Sequence, residues 1–202
     1  MLIRLQLSIF SLPQITRLLF CLALFSPLAI GQEEDQPIQD NNPYSNLEDV
    51  LAVQWEDLMS EADLQAILNA PPMSHDFYGW EDQLAGGSPE EVAYMKALQS
   101  YDVNPELINK RIVIPGFIVP TAFNEERRVT EFFLVPFFGA CIHLPPPPPN
   151  QIIYVTYESG IKLETYYEAY YVMGELSSKV VRNDLANSAY SLSAEGVEIY
   201  TY

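Results

Sequence analysis

Histidine and cysteine are scarce in this chain: its 202 residues hold two of each. That excludes a histidine-rich metal buffer, which needs tracts of ligands. Basic residues are also few. Lysine and arginine together number 10 against 27 acidic residues, for a formal charge of −17. So acidic a chain repels phosphate backbones and anionic lipid, so nucleic acid and charged membrane surfaces are not expected partners. No apolar run reaches the roughly 20 residues a membrane-spanning helix requires. Phosphate loops, dinucleotide fingerprints, nucleophile elbows and zinc-protease helices are all missing.

The N-terminus carries a different signal. Residues 1–31 contain Arg4 and Arg17, no acid, an apolar stretch from Leu18 to Ile30, and the small-x-small exit Ala29-Ile30-Gly31. A basic start, a short apolar core and a small-residue exit are the three parts of a secretory signal peptide. The core is too short for an uncleaved anchor, and Pro27 interrupts it. Cleavage is expected between Gly31 and Gln32. Loss of Arg4 and Arg17 then takes the formal charge from −17 to −19. A lipid anchor at Cys21 is not expected, because Phe20 precedes it and the apolar run continues past it. The exported chain would keep Cys141 alone in an oxidising compartment, where thiols normally pair. An odd thiol there is buried, metal-bound or reactive.

Residues 32–46, QEEDQPIQDNNPYSN, have almost no apolar side chains to offset ordering entropy and read as a disordered acidic tether. Residues 47–104 read as a helical extension. Leu47, Val50, Leu51, Trp55, Leu58, Met59, Ala62, Ala66 and Ile67 recur at spacings of three and four, predicting one helix to about Asn69, or two short ones broken near Ser60. Pro71-Pro72 ends that pattern, and residues 71–87 read as a loop. Ser88-Pro89-Glu90-Glu91 is a helix start, with Ser88 as cap and Glu91 reaching back to it, for a helix to about Ser100.

Residues 105–202 change character. Strands are predicted over 111–120, 129–136, 151–157, 170–177 and 188–194, with a short final one over 197–202. Pro115 and Pro120 limit the first to an edge or a bulge, and Gly116 marks a bend. Five short, kinked strands fit a small Greek-key barrel of the oligonucleotide/oligosaccharide-binding (OB) type, with an open β-sandwich as the alternative. The fold class is thus mainly β with N-terminal helices, α+β. Tyr166, Tyr167, Tyr170 and Tyr171 read as strand core more readily than as a recognition surface.

The distinctive segment is FGACIHLPPPPPNQ, from Phe138 to Gln151. Five consecutive prolines, Pro145 to Pro149, form a stiff strut of about 15 Å at about 3.1 Å per residue. Pro145, Pro147, Pro149, Asn150 and Gln151 are the expected partner-binding residues. Cys141 and His143 precede the strut, and in an extended chain residues two apart project to one side. The pair suits a divalent metal such as zinc, but zinc takes three or four protein ligands. Glu131, His75 and Asp76 can supply the remainder. The same pair also reads as a thiol–imidazole dyad with Asn150 as orienter, or as plain packing.

Around that segment the chain resembles a family of bacterial exported proteins, domain of unknown function 3299. The resemblance is carried by NKRIVIPGFIVP (109–120), TEFFLVPFFGACIHLPPPPPNQ (130–151), VMGEL (172–176) and WEDL (55–58). It implies a periplasmic location and accessory work beside envelope transporter components linked to zinc supply. The alternative, read from the residues, is a non-enzymatic interaction module of an envelope transporter complex, in which the proline strut and neighbouring aromatics dock a partner and Cys141 is packing. The family brings no catalytic residues to carry over.

Overall fold

The structure, a computed structural model, describes residues 41–70, 88–140 and 147–201. The expected signal peptide, most of the tether and the loop at 71–87 lie outside those residues. Asp40–Tyr202 forms one compact unit.

Its strands are β1 (Leu51–Ala52), β2 (Arg111–Phe123), β3 (Val129–Val135), β4 (Ile153–Ile161), β5 (Ala169–Ser177), β6 (Val181–Arg182), β7 (Asn187–Ser188) and β8 (Tyr190–Ile199). Two helices, α1 (Glu61–Leu68) and α2 (Pro89–Ala97), precede β2. Neighbouring strands run β2-β3-β4-β8-β5, and β5 pairs back onto β2. All these pairs are antiparallel except β4 with β8, which is parallel. The ring is therefore closed: five strands of an OB-like barrel, and the open sandwich is excluded.

Closure depends on β2 serving two neighbours in turn. Arg111 to Phe117 pair with β5, and Phe117 to Phe123 pair with β3. Gly116 sits at the handover. A Cβ there would come within 2.9 Å of the Leu134 side chain, the Trp55 ring and the Val135 carbonyl. Pro115 lies where β2 has a free flank: Trp55 Nε1 donates to its carbonyl at 2.8 Å on that side. The nitrogen of a strand residue faces the same way as its carbonyl, so Pro115 removes no bond to β5. Pro120 adjoins the bulge between Pro120 and Ala122.

The apolar stretch after Leu47 is not one helix. Turns lead into β1, which pairs in parallel with Ile112 and Val113 on the free flank of β2. A 3-10 turn at Trp55–Leu58 follows, and helix begins only at Glu61, capped by Ser60. Unfilled backbone groups on β2 outweigh the helical spacing of Leu47 to Ala52. The second helix starts as the residues dictate. Ser88 Oγ accepts from Glu91 N at 3.2 Å, and Glu91 accepts from Ser88 N at 2.7 Å. The two expected C-terminal strands are one, β8, with an irregularity around Glu195. Arg111 uses that irregularity: it donates to both Glu195 oxygens, at 3.2 and 2.6 Å, and also to Asp49. One guanidinium thus fastens the chain before β1 to the barrel wall.

Side chains alternate across the wall. Ile112, Ile114, Phe132, Leu134, Ile153, Val155, Val172, Leu176 and Leu192 fill the interior, and Trp55 and Leu58 belong to the same buried cluster. Phe133, Val135, Ala140 and Ile152 form a second cluster on the opposite face of β3. Full burial of one such side chain is worth about 1.5–3 kcal/mol.

Candidate functional site

After Val135 the chain turns back at once. Ala140 N bonds the Phe137 carbonyl at 3.3 Å, and Gly139 takes a φ of 80° that a side chain would resist. Ala140 is thereby buried against Phe133, Val135 and Ile152. Cys141, His143 and Pro145 follow, and with His75 and Asp76 they lie outside the described residues. The chain is next described at Pro147.

The proline run ends in a set of hydrogen bonds that holds four parts of the molecule together. Asn150 is fully buried on a 3-10 turn, Pro149–Gln151. Its amide donates to Asp63 Oδ2 of α1 and to the Asp102 carbonyl, both at 3.0 Å. Its backbone N donates to the Ser100 carbonyl at 3.2 Å. Gln151 Nε2 donates to the Trp55 carbonyl at 2.6 Å. The Pro149 carbonyl accepts from Ala189 N at 2.7 Å. Next to Ala189, the buried Tyr190 hydroxyl donates to the Leu58 carbonyl at 2.6 Å and accepts from Asn104 N at 2.7 Å. Burial pushes that hydroxyl up to about 12, although the Asn104 N–H pulls the other way.

The expected partner residues therefore divide. Asn150 points inward and Gln151 is engaged with Trp55, so both hold the helical layer on the barrel. Pro147 and Pro149 line an open cleft of about 400 Å³, facing Tyr101 and the β6–β7 hairpin residues Asn183 and Leu185. Arg182 lies over the Tyr101 ring, 5.6 Å from its centroid.

Glu131 is on β3, two and four residues before Phe133 and Val135, and so on the face where Ala140 packs. Its carboxylate accepts from the Tyr154 hydroxyl, and the two residues lie on adjoining strands. Burial and then this bond and its charge push Tyr154 up to about 12. Among the described residues, no three His, Cys, Asp or Glu side chains group as a metal site. Asp63, Trp55, Tyr190 and the Asp102 carbonyl were not legible as parts of this site. They lie 48 to 132 residues from their partners in the chain. The one available signal was a lone amide pair, Asn150-Gln151, closing a proline run.

A family profile for proteins of unknown function, DUF3299, matches residues 55–199. The chain belongs to the DUF3299 family. A crystal structure of a DUF3299 family protein from Pseudomonas aeruginosa PAO1 is similar to it at 32% identity. That match covers 75% of this chain and 96% of the other, with a TM-score of 0.55. A Leishmania major chain described as an aspartyl-tRNA synthetase matches at 12% identity over 64% of this chain and 23% of its own, with a TM-score of 0.31. So low a score carries no argument. No curated protein matches.

Proposed function

We propose that this DUF3299 protein is a non-catalytic accessory protein of the bacterial periplasm that binds a divalent metal ion, zinc, through Cys141 and His143. It would act with components of an envelope transporter. The observation that supports this reading is the fixing of both flanks of the Cys–His segment. Ala140 is packed against Phe133 and Val135, and Asn150 is bonded to Asp63. Fixed ends reduce the ordering entropy of assembling a site between them. Glu131 stands on the Ala140 face and has one oxygen engaged by Tyr154, which leaves the other for a metal. Zinc bound to the purified, reduced protein is measured by competition with a chromophoric chelator. About one zinc per chain is expected, lost in a Cys141→Ser, His143→Ala double variant. Equal and negligible binding by both proteins would sink the reading.

A second reading is favoured by the open cleft at Pro147 and Pro149 and by the exposed rings of Phe137 and Phe138. In it the protein is an interaction module, and the prolines and aromatics dock a partner of the envelope complex while Cys141 packs. Crosslinking followed by recovery from native envelopes separates the two. A partner retained by the double variant, with no metal bound, supports docking.

A further inference from the structure

Three rings join across the end of the barrel where β2, β3 and β5 meet. Phe117 and Phe138 pack edge-on with centroids 6.2 Å apart, and Phe138 meets Tyr167 at 4.8 Å. Phe117 is the residue at which β2 passes from β5 to β3, opposite Ala169 and Val135. The ladder runs outward from there: Phe138 is 45% exposed and Tyr167 72%. Contiguous exposed apolar surface marks interaction sites, whereas scattered single side chains do not.

The loop between β4 and β5 carries two exposed carboxylates, Glu164 and Glu168, and one exposed lysine, Lys162. Glu164 and Glu168 bracket Tyr167 in the β4–β5 loop, and neither makes an ion pair among the described residues. Burial raises the Tyr170 hydroxyl above its ordinary range, and Glu168 and Glu164 raise it further. Tyr170 is paired with Gly116, one position from the Phe117–Ala169 pair. The whole chain is acidic, at −17.

We propose that the Phe117–Phe138–Tyr167 ladder, with Glu164 and Glu168, is a docking surface for an arginine-bearing segment of a partner protein. A guanidinium stacks flat on an aromatic ring while its edge donates to carboxylates, so rings and acids recognise the same group. Lysine, more strongly hydrated, would be the poorer occupant. The proposal rests on the docking reading above and adds the partner's chemistry. It does not depend on what Cys141 and His143 hold.

The test is a titration of the purified chain, in EDTA, with a fluorescein-labelled Gly-Arg-Gly-Arg-Gly peptide followed by anisotropy. The same peptide with citrulline, an uncharged isostere, is the control. Binding of the arginine peptide is expected, with about tenfold weaker binding of the citrulline form. Tyr167→Ala and Phe138→Ala should each weaken it about two- to fivefold, and Tyr167→Phe should retain it. Glu164→Gln with Glu168→Gln should weaken it and flatten its salt dependence. Tyr167 is exposed enough that its variants test the surface even if Phe138→Ala does not fold. Absence of binding, equal binding of the citrulline peptide, or indifference to all these substitutions would overturn the proposal. So would co-sedimentation with phosphatidylcholine vesicles that is lost on the same ring substitutions, which would mark a lipid surface. If the peptide fails while crosslinking still recovers a partner, this surface is wrong and the docking reading stands.

Discussion

Asn150 is the residue on which the helical layer hangs. It satisfies a buried carboxylate, Asp63, and a backbone carbonyl, Asp102, with one amide. Removing a donor from buried acceptors costs more than the bond itself is worth. Asn150→Ala is therefore expected to lower stability by about 1–3 kcal/mol, read as a shift in the urea midpoint. Asn150→Asp makes a sharper test, because it sets two carboxylates together. Like charge and burial then raise a carboxyl pKa in the folded state above its unfolded value. Stability of that variant is fully present below about pH 4 and is lost as pH rises through the raised value. The gap from the native chain should widen from pH 4 to 7; a constant gap would contradict the Asp63 contact. None of this was readable at residue 150 alone, where the amide looked like a partner contact. Its true partners come from elements far off in sequence. The tyrosines split in the same way. Tyr170 and Tyr171 are buried in β5, as strand propensity implies, while Tyr166 and Tyr167 stand in the preceding loop.

At the scale of elements, the barrel strands follow from β-branched and aromatic runs punctuated by glycine and proline. β2 and β3 fall close to where those runs place them. β2 is harder to read, since its prolines suggest an edge and it is paired along its whole length. The resolution is positional: Pro115 directs its nitrogen to the free flank, and Pro120 adjoins a bulge. Gly116 is the most sensitive point of the element. Gly116→Ala would press a methyl against the Val135 backbone carbonyl, which cannot rotate away as a side chain can. A loss of about 1–3 kcal/mol is expected in chemical denaturation, and a neutral substitution would mean the strands separate there. The error at Leu47–Ala52 has the opposite origin. Helical spacing is a local signal, whereas the vacant backbone groups of Val113, whose carbonyl accepts from Val53 N, exist only once β2 has formed. Ser88 and Glu91 were legible because a capping box is complete within four residues.

For the whole molecule, the buried and half-buried tyrosines set a response to alkali. Tyr44, Tyr154 and Tyr190 are all pushed up to about 12 from an ordinary value of 10.0, by burial first. A folded-state value above the unfolded one means the unfolded chain gives up its protons first. The stability they contribute is complete below pH 10 and falls as pH climbs towards 12. Urea midpoints measured over that range should decline, and Tyr190→Phe should decline less steeply, while a flat profile would show these hydroxyls to be solvated. The sequence by itself determined the family, the mainly β C-terminal part with its five short strands, the capped second helix and the acidic character. Each is written in short-range patterns or in composition. Only the tertiary structure decided that the barrel closes through β2 and β5, that β1 fills the free flank of β2, and that Asn150 faces inward. It also decided that Phe117, Phe138 and Tyr167 form one surface. Those outcomes depend on groups many residues apart meeting at hydrogen-bond and van der Waals range, and no local pattern encodes that proximity.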